Sequence, residues 1–178
     1  MLQLSAARNL ATTEDTYLQI VRGKTAALFA AACEVGGVIT GASKKEITAL
    51  RDYGDALGSA FQIVDDLLDY GGDTSATGKN IGDDFREGKL TLPLIKAIAR
   101  ADSAERNFWY RAIAKGKYDV SDLDRALGLL ARHGAMEATR TDALAWANRA
   151  RKALKPLPKN DLRQMFDDLA DYVVARIT

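Results

Sequence analysis

Residues 43–72 read SKKEITALRDYGDALGSAFQIVDDLLDYGG. Apolar or small side chains recur at Ile47, Leu50, Gly54, Leu57, Phe61, Val64 and Leu68. Gaps of three and four residues place them on one stripe of an α-helix. Ser43 with Glu46 three residues on is a capping-box signature, and Gly71-Gly72 closes the run. The stretch predicts one long helix starting after Ser43, with its stripe buried against other elements.

The flanking sequence reads the same way. Thr12 or Thr13 could cap an earlier helix over about residues 14–38, with Glu14 and Asp15 in its first turn and Gly36, Gly37 and Gly41 weakening its end. Its alanine-rich part, residues 26–32, would let a neighbouring helix approach closely. A polar, glycine-rich segment spans residues 71–89, and Pro93 stands just inside a helix starting near Thr91. Further helices are predicted over residues 104–115, 121–133 and 135–154. Pro156 and Pro158 break the last of these, and Asn160 or Asp161 could start a final helix reaching Ile177. No run alternates with period two long enough for a strand, so the expectation is an all-α bundle in one domain over residues 1–178.

Composition narrows the function classes. With 47% hydrophobic and 28% charged residues, the 178-residue chain reads as globular, not disordered. A net charge of +1 supplies no bulk field for nucleic acid or a membrane surface. The single cysteine, Cys33, excludes an intrachain disulfide and sits among alanines as a buried filler. The single histidine, His133, precedes Gly134 at a predicted helix end, where it complements the helix dipole. A His/Cys metal centre and a Ser-His triad both lack material. The longest apolar stretch, residues 25–33, is about half of the ~20 residues a spanning helix needs. A cytoplasmic protein without a transmembrane segment is expected.

The candidate chemistry lies on the long helix. At ~100° per residue, Gln62, Asp65, Asp66 and Asp69 fall in one arc opposite the apolar stripe. Such an arc is what any solvated amphipathic helix shows. It is also what an oxygen-seeking cation needs, because Mg²⁺ takes one or two carboxylates and completes its shell with water and phosphate. No Lys or Arg lies within four residues of these aspartates, and they sit toward the helix C-terminus, where the macrodipole disfavours negative charge. The following segment carries Lys79, Arg86 and Lys89 among Gly78, Gly82 and Gly88. It reads either as a solvated loop or as a closure over phosphates. It is not a P-loop, since Asn80 stands where Ser or Thr belongs. Lys24, in the otherwise apolar middle of its helix, either snorkels to the surface or meets an anion, with the Thr25 hydroxyl beside it.

These residues resemble a family, the trans-polyprenyl diphosphate synthases. Phe61-Gln62 followed by Asp65-Asp66-Leu67-Leu68-Asp69 resembles that family's second aspartate-rich motif. Gly23-Lys24-Thr25-Ala26 with Leu28-Phe29 is similar to its Lys-Thr helix, and Gly78-Lys79, Gly82-Asp83-Asp84 and Glu87-Gly88-Lys89 to the loop after the second motif. The resemblance implies an isoprenoid-synthase type of helical bundle that extends an allylic diphosphate with isopentenyl diphosphate. It implies Asp65, Asp66 and Asp69 as Mg²⁺ ligands, with Asp65 first among them. Asp65 and Lys24 would be catalytic, and Lys24, Thr25, Gln62, Lys79 and Lys89 would line the diphosphate and the reacting carbon. The family's first aspartate-rich motif has no counterpart here, so the chain is expected to be a C-terminal portion lacking N-terminal helices and inactive alone. Likeness to long-chain members implies a product of eight to ten isoprene units and a homodimer. A non-catalytic subunit paired with a full-length synthase, and a plain helical interaction module, are the competing expectations.

Overall fold

A computed structural model describes residues 6–71 and 81–177, and among these every regular element is helical. In chain order they are α1 (Glu14–Val21), a π-helical turn (Arg22–Ala26), α2 (Ala27–Ile39) and α3 (Lys44–Gly71). After these come α4 (Asp83–Glu87), α5 (Leu92–Arg100), α6 (Ser103–Trp109) and a second π turn (Tyr110–Ala114). The chain finishes with α7 (Asp122–Arg132), α8 (Ala135–Ala153) and α9 (Asp161–Ala175). The all-α expectation holds. Packing divides the chain into two compact units, one from residues 1–20 and 65–140, the other from residues 21–64 and 141–178.

The first unit is built on Phe85, Leu94, Phe108, Trp109, Ile113 and Leu130, all buried. Each such side chain contributes roughly 1.5–3 kcal/mol on leaving water. Asp102 starts α6 with a capping box, accepting from the Glu105 backbone N–H at 2.9 Å while Glu105 accepts from the Asp102 N–H at 3.0 Å. The buried Glu105 carboxylate also meets Arg132 at 2.7 Å and His133 Nε2 at 2.8 Å. His133 is therefore more than a complement to its helix end: its ring is tied to a buried carboxylate.

In the second unit α3 lies against the π turn and α2 at glycines. A Cβ on Gly54 would stand 2.5 Å from the Phe29 carbonyl oxygen, and one on Gly58 would stand 2.7 Å from the Ala26 Cα. This is the close approach that the alanine-rich segment foretold. Burial on α3 does not follow the single stripe expected, however. Tyr53, Ala56, Ala60, Ile63 and Val64 are wholly buried, whereas Ile47, Leu50, Phe61 and Leu68 are only partly so. Small residues let neighbours close on more than one side of α3, so the burial wraps round the helix. The Tyr53 hydroxyl donates to the Phe166 carbonyl at 2.8 Å, and α8 buries Ala143, Ala147 and Ala150 at helical spacing, with Leu154 buried just past its end. Two apolar rows remain exposed in this unit: Leu28, Val35, Val38 and Ile39 on α2, and Leu162, Met165, Leu169 and Tyr172 on α9.

Candidate functional site

Lys24 and Thr25 lie in the π turn, not in regular α-helix. A π turn adds a residue to the turn and commonly marks a functional position. The Lys24 side chain is exposed, whereas Thr25 is half-buried and donates from Oγ1 to Gln62 Oε1 at 2.8 Å. Two of the expected site residues of the second unit thus meet, although 37 positions separate them.

In the first unit the three aspartates have different environments. Asp65 and Asp69 are half-buried, whereas Asp66 is buried. The Tyr17 hydroxyl donates to Asp66 Oδ2 at 2.6 Å. The solvent-facing arc expected from the helical wheel is corrected here: Asp66 turns inward because a buried phenol on α1 receives it. Tyr17 itself is buried, and its pKa is raised well above the usual phenol value by burial and by the Asp66 carboxylate. Sequence reasoning gave Tyr17 no role. The available signal was its place with Val21, one turn on, as the buried pair of α1.

The segment after α3, expected as an irregular loop, contains α4. Gly82 and Gly88 take the left-handed conformation, at φ +79° and +71°, and bracket five helical residues between them. This short helix is tied to the end of α3. The Gly82 N–H donates to the Asp69 carbonyl at 2.7 Å, and the Asp84 N–H donates to Asp69 Oδ2 at 3.1 Å. Burial, with Asp84 and then Asp83 close by, pushes the Asp69 carboxyl up to about 6, against the pull of the Asp84 and Asp83 backbone N–H groups. Lys89 bridges the carboxylates of Asp84 (3.1 Å) and Glu87 (2.6 Å), and Arg86 pairs with Asp83 at 2.8 Å. Two of the loop cations are thus engaged by acids of their own loop. Lys79 and Gly78 lie outside the described residues.

Among the described residues no three His, Cys, Asp or Glu side chains converge as a ready-made metal cage. The donor set nonetheless fits a hard cation completed by substrate oxygens: half-buried carboxylates, all oxygen, with the Asp69 carboxyl raised to about 6 and so mostly ionised at neutral pH. Asp65 and Asp69 are the carboxylates that could hold it.

A helical fold carrying a helix-borne aspartate cluster, a Lys-Thr π turn and a glycine-bracketed acidic and basic loop defines a narrow class. The polyprenyl synthetase family profile matches residues 1–130, and the chain belongs to that family. It is 40% identical over 177 residues to the all-trans-nonaprenyl-diphosphate synthase (geranyl-diphosphate specific) of Rhodobacter capsulatus, covering 99% of this chain and 54% of that protein. The crystal structure of a decaprenyl diphosphate synthase from Rhodobacter capsulatus superposes with a TM-score of 0.94 at 64% identity, over 99% of this chain and 55% of that one. A polyprenyl synthase from Caulobacter crescentus, complexed with calcium and isoprenyl diphosphate, superposes at 0.93 with 48% identity, over 99% and 54%. The chain spans about half the length of the curated relatives it matches. No described helix is long and apolar enough to cross a membrane.

Proposed function

We propose that this chain is the aspartate-helix portion of a long-chain trans-polyprenyl diphosphate synthase, a cytoplasmic prenyltransferase. The observation that carries this reading is the Asp65-Asp66-x-x-Asp69 turn of α3, tied to the glycine-bracketed loop through Asp69 in a chain of this family. Asp65 and Asp69 would hold Mg²⁺ bridged to an allylic diphosphate. Bound there, the ion would stabilise the diphosphate as it leaves. Lys24 and Lys79 would contact the diphosphate oxygens, with Lys89 at the loop's edge, and Thr25 and Gln62 would hold the allylic end. Isopentenyl diphosphate would then add five carbons. The Caulobacter relative, solved with a divalent cation and isoprenyl diphosphate, supports this ligand chemistry.

A second reading follows from the exposed apolar rows of α2 and α9, where Leu28 and Ile39 are 73% and 76% accessible. Rows of this kind favour association. They suit a homodimer, or a regulatory subunit paired with a full-length synthase.

The test supplies residues 1–178 with Mg²⁺, an allylic diphosphate and radiolabelled isopentenyl diphosphate. The assay runs with and without the co-expressed segment of the Rhodobacter capsulatus relative that this chain does not cover. Extractable polyprenyl product is expected only with both polypeptides, and Asp65→Ala should lower its rate roughly a hundredfold or more. No product from the pair would overturn the enzyme reading in favour of the regulatory one. Product from residues 1–178 alone would overturn the expected dependence on a second segment.

A further inference from the structure

Tyr17 and Asp66 are brought together from positions 49 apart, and both are nearly sealed from solvent, at 5% and 3% accessible. Their 2.6 Å separation makes this a short hydrogen bond from the phenol hydroxyl to the carboxyl group. A buried carboxylate is costly unless donors meet it, so this bond holds the Asp66 side chain inside. Asp66 is also the neighbour of Asp65 and lies three residues before Asp69. On a helix, fixing one residue's direction fixes the directions of those one and three positions away. With Asp66 drawn toward α1, Asp65 and Asp69 are left as the half-buried pair.

We infer that Tyr17 is a positioning residue for the aspartate motif. Its hydroxyl holds Asp66 inward and so sets the angle at which α3 presents Asp65 and Asp69 to a cation–diphosphate ligand. The inference rests on the proposed function of those two aspartates. Without the hydroxyl, Asp66 loses the donor that reaches it from α1, and its side chain is no longer held at that angle. That change alters the carboxylate set that faces the ligand, and small displacements of positioning groups are expensive in affinity and rate. The phenol ring does not touch the ligand in this account. Its effect passes entirely through Asp66.

The experiment uses residues 1–178 as wild type, Tyr17→Phe, Asp66→Asn and the double variant. Isothermal titration with inorganic diphosphate in Mg²⁺ measures affinity, and ¹³C NMR of aspartate-carboxylate-labelled protein reports on Asp66. Tyr17→Phe keeps the ring and should move the Asp66 carboxylate resonance even without ligand. It should weaken Mg²⁺–diphosphate binding by about tenfold or more. The double variant should bind no worse than the weaker single one, because both substitutions break one connection. An unmoved Asp66 resonance, wild-type affinity in Tyr17→Phe, or losses that multiply in the double variant would each overturn the inference. Should Tyr17→Phe not fold, Asp66→Asn, which keeps the phenol, carries the affinity test with the same tenfold expectation, and wild-type affinity there overturns the inference. Absence of binding by the wild type removes the proposed function and this inference with it.

Discussion

The Thr25 hydroxyl donates 2.8 Å to Gln62 Oε1 and so pins the π turn of the Lys-Thr segment to the middle of α3. Valine matches threonine in branching and size but cannot donate. Thr25→Val should therefore cost about 0.5–1.5 kcal/mol, the usual net worth of such a bond, while Thr25→Ser retains most of it. Urea unfolding followed by circular dichroism decides. A Thr25→Val midpoint equal to wild type would show that the bond adds nothing to stability.

Lys24 occupies the same turn but is exposed, and its removal leaves no void. Lys24→Ala should melt within about a degree or two of the wild type, as surface changes do. Its affinity for Mg²⁺–diphosphate should fall severalfold. A melt lowered by many degrees with affinity intact would assign Lys24 a structural role instead.

Gly54→Ala should be among the most damaging small substitutions. The added methyl would meet the Phe29 carbonyl oxygen and the Ala30 Cα, both backbone atoms that cannot step aside. Overpacking of this kind costs typically ~1–3 kcal/mol and sometimes more, even though alanine favours helix over glycine by about 1 kcal/mol. At Gly128, whose added Cβ would meet nothing within 4 Å, the same change should be neutral or stabilising. Thermal melts of the two variants should move in opposite directions or clearly differ.

The carboxyl of Asp69 gives a pH dependence with a definite sign. Its folded pKa of about 6 lies above the ordinary 3.8. Between those values the folded chain keeps a proton that the unfolded chain has released, so this group lowers stability as pH rises through the window. The penalty is complete above about pH 6 and absent below about pH 4. Asp69→Asn, whose amide oxygen can still accept from the Asp84 N–H, should raise the melting temperature by a few degrees at pH 7. At pH 4 the advantage should vanish. An equal gain at both values would place its origin outside titration. Mg²⁺–diphosphate should depress the wild-type Asp69 pKa, which carboxylate NMR can follow.

Much of this architecture was legible along the chain because its causes are local. The Ser43–Glu46 capping box forms as expected, with the Ser43 N–H donating to Glu46 at 2.9 Å and the Glu46 N–H to Ser43 Oγ at 3.3 Å. Asn160 caps α9 by accepting from the Arg163 N–H at 3.0 Å. Such bonds join residues three apart, so sequence order already places the partners together. The α4 helix was missed for a related reason: five residues carry too little periodicity to read, and only the pair Gly82 and Gly88 marked it.

By itself, the sequence determined that the chain is helical, where its long helices begin and end, and which residue types would gather on α3 and in the Lys-Thr turn. Local hydrogen bonds and the three-to-four residue period suffice for that. Only the tertiary structure decided which aspartate turns inward and which two remain accessible. That choice depends on Tyr17, 49 residues from its partner. It also engaged Lys89 with Asp84 and Glu87, and raised the Asp69 carboxyl by burying it beside Asp84. A helical wheel assigns each side chain a direction but not a neighbour. Burial, and the charge a buried group can carry, belong to the neighbours that packing supplies.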